Sequence, residues 1–314
     1  MRKVCLESVY ELATEDSRVV FIGSDLSPGL LSEMRREMAD RWFMEGVAEQ
    51  NVVGMAAGMA IEGLIPYAST IATFFTRRSF EQIAVDCCLH NVPVRLISNG
   101  GGLVYAPLGP THLAIEDIAI MRALPNMTVI ACCDADEMRR FMNASLRWPS
   151  PIYIRLAKGG DPIVSRAELG FEIGKAITMR TSSDRNPTVL MTTGIMTTNA
   201  LKAADILVTA GIDLSVVHFH TIKPLDANAV LDQARSARLV VTIEEGIAIG
   251  GFGSAVTDVL ANAIGPGMPY IKRIALPDSF CRNYGTQDDL FERYGLSPKH
   301  IARIVAETIG KLSV

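Results

Sequence analysis

Short apolar runs rich in β-branched residues alternate with segments of helical periodicity, and this alternation constrains the fold more than any other feature. The runs lack the strict polar–apolar alternation of half-exposed strands, which is typical of strands covered on both faces. Such a rhythm predicts a doubly wound, mostly parallel sheet. The predicted strands are 19–26, 66–72, 92–98, 127–133 and 150–156, and the predicted helices are 3–15, 49–62, 78–90, 113–123 and 134–147.

The rhythm stops once and then restarts, so the sequence predicts two α/β domains. Glycines, prolines and a polar cluster interrupt it, which indicates a connecting segment. We expect a first domain at 1–157, a linker at 158–186 and a second domain at 187–314, each large enough for its own core. In the second domain, strands are predicted at 188–194, 213–220, 238–245 and 270–276, and helices at 196–211, 226–236, 251–263 and 297–311.

Charge and composition argue against several classes of function. The formal net charge is −4 and the sequence pI is about 5.8, so there is no basic signal for nucleic acid. No apolar run approaches the roughly 18 residues that span a bilayer, and early acidic residues argue against a secretory signal. Six cysteines without CxxC spacing argue against a zinc site or a disulfide framework. We expect a cytoplasmic protein with reduced, mostly buried thiols and no membrane partner.

Glu49 stands where a polar stretch runs into a small, apolar one, VVGMAAGMAI. Burying an ionised carboxylate is costly unless it is paired. Glu49 therefore either stabilises the start of a helix through the helix dipole or carries a charge that has a use. Gly54 and Gly58 lie four residues apart, which predicts a nearly bare helix face that another helix approaches closely, from this chain or another.

Two stretches that follow predicted strands carry further candidates. In STIATFFTRRSFEQI, Phe74, Phe80 and Arg77 come after a strand, where aromatic rings either fill the core or stack on a flat heterocycle. In SNGGGLVYAPLGPTH, a glycine-rich loop ends at His112. Thr111 is a candidate helix cap. His112 is either a proton carrier or a histidine whose hydrogen bonds are made within a capping loop.

Two pairs of residues in the second domain are predicted to have structural roles. His218 and His220 alternate on a strand and share a face, but the sequence shows no third ligand that would make a metal site. Glu244 and Glu245 end a strand, and alternation points them to opposite faces, so a structural or interface role is favoured over paired acid–base chemistry. The GGFGSA that follows is a weak nucleotide signal.

Taken together, these segments resemble the C-terminal half of transketolases. The resemblance rests on GVAEQNVVGMAAG, STIATFFTRRSFEQI, GPTHLAIEDIAIMRALPNMTVI, HTIKPLD and VTIEEGIAIGGFGSAV, which occur in the family's order along essentially the whole chain. It implies a thiamine diphosphate pyrimidine-binding domain followed by the transketolase C-terminal domain. The beta subunit of 2-oxo acid dehydrogenase decarboxylases is a more distant resemblance.

The resemblance implies roles for individual residues around the cofactor. Glu49 falls on the catalytic glutamate that hydrogen-bonds the pyrimidine ring nitrogen and sets its tautomer. Phe74 matches the ring that stacks on the pyrimidine, and Phe80 matches an aromatic residue nearby. Arg77 lies where the deoxyxylulose-phosphate synthase branch also has arginine. Asp25 aligns with a family aspartate near the pocket.

The resemblance also bears on the substrate. His112 matches a catalytic histidine that contacts substrate oxygen, and Arg155 falls on a strand-end arginine that binds sugar phosphate. Leu108 stands where transketolases have an aspartate that reads a sugar hydroxyl, and Gly100 stands where they have a phosphate-binding histidine. A pocket that lacks this hydrogen-bonding side chain loses the discrimination between substrates that the side chain provided. We therefore expect a less hydroxylated or more apolar donor or acceptor.

The family holds the diphosphate and Mg²⁺ through Gly-Asp-Gly and a later Asn, and this sequence has no Gly-Asp-Gly. The resemblance therefore predicts a split enzyme in which a separate chain supplies the diphosphate domain and most of the Mg²⁺ contacts, and we assign no metal ligand to this chain. An α₂β₂ assembly would transfer a ketol or acyl unit to an aldehyde or ketone acceptor. Two alternatives stay open: a 2-oxo acid decarboxylase beta subunit and a catalytically silent scaffold.

Overall fold

The computed structural model describes residues 1–24, 28–263 and 268–312. Asp25, one of the predicted pocket residues, lies outside the described residues. Among the described residues, no helix combines the length and apolarity needed to cross a membrane. All six cysteines are free and buried, as the sequence predicted.

Twelve strands are described, and most of them are buried on both faces. In chain order they are β1 (Val19–Gly23), β2 (Trp42–Met44), β3 (Ile65–Ile71), β4 (Arg95–Asn99), β5 (Thr128–Ile130), β6 (Ile152–Leu156), β7 (Ile177–Arg180), β8 (Thr188–Thr192), β9 (Leu214–His218), β10 (Thr221–Lys223), β11 (Leu239–Ile247) and β12 (Tyr270–Leu276). They form two sheets. The order is β10-β5-β6-β4-β3-β1-β2 in the first and β12-β11-β8-β9-β7 in the second.

Helices cover these sheets. They are α1 (Arg2–Glu15), α2 (Ser32–Glu37), α3 (Glu49–Ile61), α4 (Ala72–Arg78), α5 (Phe80–Gln82), α6 (Asp117–Ala123), α7 (Ala135–Ser145), α8 (Met196–Thr209), α9 (Ala227–Arg235), α10 (Phe252–Ala263), α11 (Gln287–Arg293) and α12 (Pro298–Leu312). A π-helical turn, Ile83–Leu89, continues α5. Short 3₁₀ turns complete the connections.

The predicted class, two doubly wound and mostly parallel α/β domains, is confirmed. All neighbouring strands pair in parallel except the two edge strands β10 and β7, which are antiparallel to β5 and β9. Strand β7 forms inside the segment 158–186 that was predicted to be linker. The predicted helix 113–123 begins only at Asp117, because Ala114 forms bridges with Gly101 and Gly102 of the glycine-rich loop.

A buried ion-pair network joins the two domains. The Arg155 Nε donates to Asp117 Oδ2 at 2.7 Å, and its Nη2 donates to the Glu245 carbonyl oxygen at 2.6 Å. Its Nη1 lies 3.7 Å from Glu245 Oε2. Tyr153 adds a hydroxyl donor to Asp117 at 3.0 Å. One guanidinium therefore serves two carboxylates, one from each domain, and one negative charge is left in excess.

The excess charge predicts how stability depends on pH. Burial raises the pKa of Glu245 from 4.5 to about 7, although Arg155 opposes the rise. A carboxyl group whose pKa is higher in the folded state keeps its proton there, so its stabilising contribution is present below about pH 4.5 and is lost as pH rises through about 7. We expect Glu245→Gln to remove this loss, on the order of 2 to 3 kcal/mol in the free energy of unfolding.

Urea unfolding at about pH 5 and about pH 8 measures the effect, with the wild type and the exposed-site variant Glu62→Gln as references. The glutamine can still accept the hydrogen bond from the Leu103 amide. An equal pH slope in Glu245→Gln and the wild type would show that the carboxyl group titrates normally.

Candidate active site at the carboxyl edge of the first sheet

Glu49 is the first residue of α3 and is 3% exposed. Its Oε2 accepts a hydrogen bond from Arg78 Nη1 at 3.0 Å, and its Oε1 accepts a longer one from Thr70 Oγ1 at 3.4 Å. The helix is preceded by Ala48, without a side-chain cap. Glu49 is therefore a helix-start acid whose charge is also paired, which is the condition under which a buried carboxylate is tolerated.

The carboxyl ends of β1, β3 and β4 place polar side chains beside Glu49. Ser24, just after β1, donates to Thr70 Oγ1 at 3.0 Å, and Thr70 lies near the end of β3. Asn99 ends β4, and its amide donates to the Ser69 hydroxyl and the Thr70 carbonyl. Among the described residues, the buried Asn99 Oδ1 has no hydrogen-bond partner. The edge where parallel sheets bind ligands is thus polar and preorganised here.

Arg78 was missed by the sequence analysis, and it occupies the centre of the site. Its guanidinium carbon lies 3.7 Å from the centroid of the Phe74 ring, while its Nη1 pairs with Glu49. The ring of His112 meets Phe74 edge-on, with centroids 5.4 Å apart. The signal was present in the sequence, because residues four apart on a helix share a face and Phe74 and Arg78 are four apart.

Arg77, the arginine that the sequence analysis placed at the cofactor, points elsewhere. It pairs with Glu116 at 2.5 Å and donates to the Leu113 carbonyl oxygen at 2.9 Å. Successive helical residues point about 100° apart, so Arg77 and Arg78 cannot both face Glu49. Arg77 instead braces the loop that carries His112. The expected contact of Arg77 with the cofactor is therefore not supported by this geometry.

The aromatic and loop residues of the site differ in exposure. Phe80 is half-buried and packs against the apolar cluster that includes α3. Leu108 is 50% exposed, in a short 3₁₀ turn. Gly100 has φ +75°, and a Cβ there would lie 2.1 Å from the Tyr105 ring. Tyr105 therefore fills the space beside the position where transketolases were expected to have a phosphate-binding histidine.

Arg155, expected to bind sugar phosphate, is 6% exposed and committed to the interdomain network. All three of its nitrogens face Asp117, Glu245 or backbone oxygen. Two carboxylates already compete for its charge, so it has little to offer an anion. In this structure Arg155 joins the two domains, and its contact with a sugar phosphate stays a prediction. Glu244 accepts from the amides at the start of α10, which fits the structural role favoured for the glutamate pair.

Two family models match consecutive parts of the chain. The pyrimidine binding domain of transketolase matches residues 1–160, and the transketolase C-terminal domain matches residues 177–301. The chain belongs to the transketolase family. The domain order that the motifs predicted is thereby confirmed.

Similar transketolase-family proteins cover nearly the whole chain. It is 39% identical to an uncharacterised transketolase family protein of Sinorhizobium fredii, over 94% of this chain and 85% of that protein. It is 33% identical to the 6-deoxy-6-sulfo-D-fructose transketolase subunit SqwH of a Clostridium species, over 98% and 94%. A solved split gene transketolase, described as an inactive beta4 tetramer, has a TM-score of 0.88 at 34% identity, over 98% and 97%.

The match to another branch of transketolases is partial. The chain spans about half the length of the 1-deoxy-D-xylulose-5-phosphate synthases that it matches, for example at 35% identity over 46% of the Synechococcus protein. The family assignment therefore covers the two domains described here, and the activity of any complete relative is a separate question.

The charge around His112 predicts a titration. The pKa of His112 is lowered, first by burial and then by the nearby charges of Arg78 and Arg77. Replacing Arg78 with glutamine removes a positive charge, so we expect the pKa of His112 to rise. NMR titration of the imidazole C–H signals measures it, with the remote variant Arg139→Gln as a control. No rise in Arg78→Gln would show that Arg78 does not lie beside His112 in solution.

Proposed function

We propose that this chain is the pyrimidine-binding and C-terminal half of a thiamine-diphosphate-dependent transferase of the transketolase type, active with a partner subunit. One observation carries the proposal: a buried carboxylate, Glu49, and an aromatic face, Phe74, are set side by side at the ligand-binding edge of a parallel sheet. The family membership gives this pair its interpretation.

The residues of the site fit an aminopyrimidine ring. Such a ring needs a carboxylate beside a ring nitrogen and an aromatic surface on which to stack. Arg78, a planar cation, satisfies both groups in the structure, since it pairs with Glu49 and lies over Phe74. We infer that the cofactor ring replaces the Arg78 guanidinium at these two contacts. Arg78 is 45% exposed in its side chain, so it can swing outward without breaking a core.

The chain's own residues would then divide the chemistry. Thiamine diphosphate, when bound, supplies the carbon nucleophile that carries the transferred ketol or acyl unit. Glu49 holds a proton at the ring nitrogen, where its burial excludes competing water. Phe74 positions the ring. His112, whose lowered pKa favours the neutral imidazole, hydrogen-bonds a substrate oxygen.

A separate subunit would complete the site. The two matched domains account for most of the chain, and we propose that the diphosphate and Mg²⁺ are held mainly by a partner of the transketolase diphosphate-binding type. A relative is named as a transketolase subunit, and a similar solved chain is described as an inactive beta4 tetramer. These names support a chain that self-associates but needs a partner for activity, and we propose an α₂β₂ assembly for the active pair.

Two residues support a non-standard substrate. Leu108 is half exposed and apolar, and Tyr105 fills the space beside Gly100. Neither Leu108 nor Gly100 has a side chain that can hydrogen-bond a sugar hydroxyl or bind a phosphate. We propose a donor or acceptor that is less hydroxylated than ordinary pentose phosphates.

Glu49→Gln tests the catalytic role. The glutamine keeps the size of the side chain but cannot hold the proton, so we expect kcat of the assembled pair to fall by roughly 10²-fold or more. Glu62→Gln, an exposed change at the other end of the same helix, is the matched control and should retain activity. Full activity in Glu49→Gln would favour the scaffold alternative instead.

Leu108→Asp tests the substrate proposal. We expect the assembled wild type to turn over xylulose 5-phosphate with ribose 5-phosphate poorly, and Leu108→Asp to raise kcat/KM for this pair by about tenfold, because the carboxylate can accept a hydroxyl hydrogen bond. Steady-state assays on these sugars, and on pyruvate with a lipoyl carrier, measure it. Efficient wild-type turnover of the pentose phosphates would contradict the proposal, and activity only with pyruvate would favour a decarboxylase subunit.

A further inference from the structure

Three side chains with metal-ligating atoms meet between the two domains, away from the candidate active site. Cys133 follows β5, Glu137 lies in the first turn of α7, and His218 ends β9. We call Cys133, Glu137 and His218 the interdomain cluster. All three are 0% exposed, and their ligand atoms lie within 4.8 Å of one another. The sequence showed only the histidines, and the structure brings the other two ligands from the first domain.

Neighbouring hydroxyls hold the ring of His218 in place. Thr192 Oγ1 donates to the Val217 carbonyl at 3.3 Å and lies 2.8 Å from Thr197 Oγ1, which lies 2.7 Å from His218 Nδ1. Each hydroxyl has one proton. Either partner can donate in the Thr192–Thr197 contact and in the Thr197–His218 contact, so these bonds fix the position of the ring but not which nitrogen carries the proton.

The other ring nitrogen faces a carboxylate: His218 Nε2 lies 2.9 Å from Glu137 Oε2. A ring protonated at Nε2 donates to this carboxylate, whereas a ring with its lone pair at Nε2 needs a cation between the two atoms. A metal-bound histidine typically has its other nitrogen fixed by a hydrogen bond of the kind that Thr197 provides. The ring is therefore oriented as a metal ligand requires, and without a metal the same contacts fit a ring that donates from Nε2 to Glu137.

Two buried atoms beside the cluster lack partners. Among the described residues, Glu137 Oε1 and His220 Nε2 make no hydrogen bond, although both residues are 0% exposed. The rings of His218 and His220 lie 5.9 Å apart. Buried polar groups in native proteins are usually satisfied, by an ion or water if not by protein. A cation would give Glu137 Oε1 a partner.

We propose that the interdomain cluster binds one divalent transition-metal ion, Zn²⁺ or a similar borderline ion. A thiolate, a carboxylate and an imidazole are the ligand types that such ions take. The thiol proton of Cys133 leaves to solvent on binding, and the thiolate and carboxylate together neutralise the ion. A neutral complex suits a site that water does not reach. The absence of CxxC spacing in the sequence therefore does not argue against this site. Its ligands come from two domains and not from one short motif.

The site has a structural role in this proposal. Its ligands come from β5 and α7 on one side and β9 on the other, so the ion fastens the two domains to each other. Because the cluster is fully buried, the ion enters as the domains assemble rather than by diffusion into the folded chain. Binding to the folded state alone raises its melting temperature.

The test uses the full-length chain, unfolded in chelator and refolded with or without Zn²⁺ or Co²⁺. We expect about one bound ion per chain by elemental analysis, a thiolate-to-cobalt charge-transfer band in the Co²⁺ form, and a melting temperature higher by on the order of 5 °C with metal. Cys133→Ser should remove the band. Cys132→Ser, an equally buried neighbour outside the cluster, should keep both band and ion.

Two results would overturn the proposal. One is a refolded wild type with far less than one ion per chain, whichever His218 nitrogen ¹⁵N NMR shows to be protonated. The other is metal content and a charge-transfer band that survive in Cys133→Ser. If Cys133→Ser does not fold, the charge-transfer band is compared between the wild type and His218→Gln instead. Only a thiolate ligand produces this band, so a band in the wild type that changes in His218→Gln supports the site, and no band contradicts it.

Discussion

The guanidinium of Arg155 is the contact on which the rest of the molecule depends. It lies at the end of β6 and meets Asp117 of the first domain and Glu245 of the second, all buried. Buried ion pairs gain little net stability but penalise every arrangement that separates them. The network therefore fixes how the domains sit. Gly102, whose Cβ would lie 2.4 Å from the Glu245 carboxyl, can approach only because it has no side chain.

A series of hydrogen bonds and ion pairs connects this junction to the candidate active site. The glycine-rich loop is held against Glu245, and its Leu103 amide donates to that carboxylate at 2.8 Å. The same loop continues to His112, where Arg77 braces it from α4. Arg78 on the same helix satisfies Glu49. Glu49, Asp117 and Glu245 are thus each paired with an arginine, and the two adjacent arginines Arg77 and Arg78 serve different purposes.

Much of the fold could be predicted because it follows from local periodicity in the sequence. This periodicity predicted the strands buried on both faces, the helices between them and the order of the two domains. Apart from Arg78, whose contact with Phe74 is local, what was missed depends on partners that are distant in sequence. Strands β10 and β7 are three and four residues long, and their pairing lies in the tertiary structure. Glu49 was identified because a charge beside an apolar helix is locally anomalous. The contact between Arg155 and Glu245 could not be predicted, because the two residues are 90 positions apart and no local sequence pattern indicates that they meet.

One edge strand has a consequence for how the chain is made. Strand β10 closes the first sheet by pairing with β5, although it is encoded about ninety residues later. Until the ribosome has delivered it, the nascent first domain presents the open backbone of β5, which is the kind of edge that recruits other strands and aggregates. A chain cut after β6 would keep that edge permanently. The two domains are thus separate in architecture but not in biogenesis, because the first is finished only by the second.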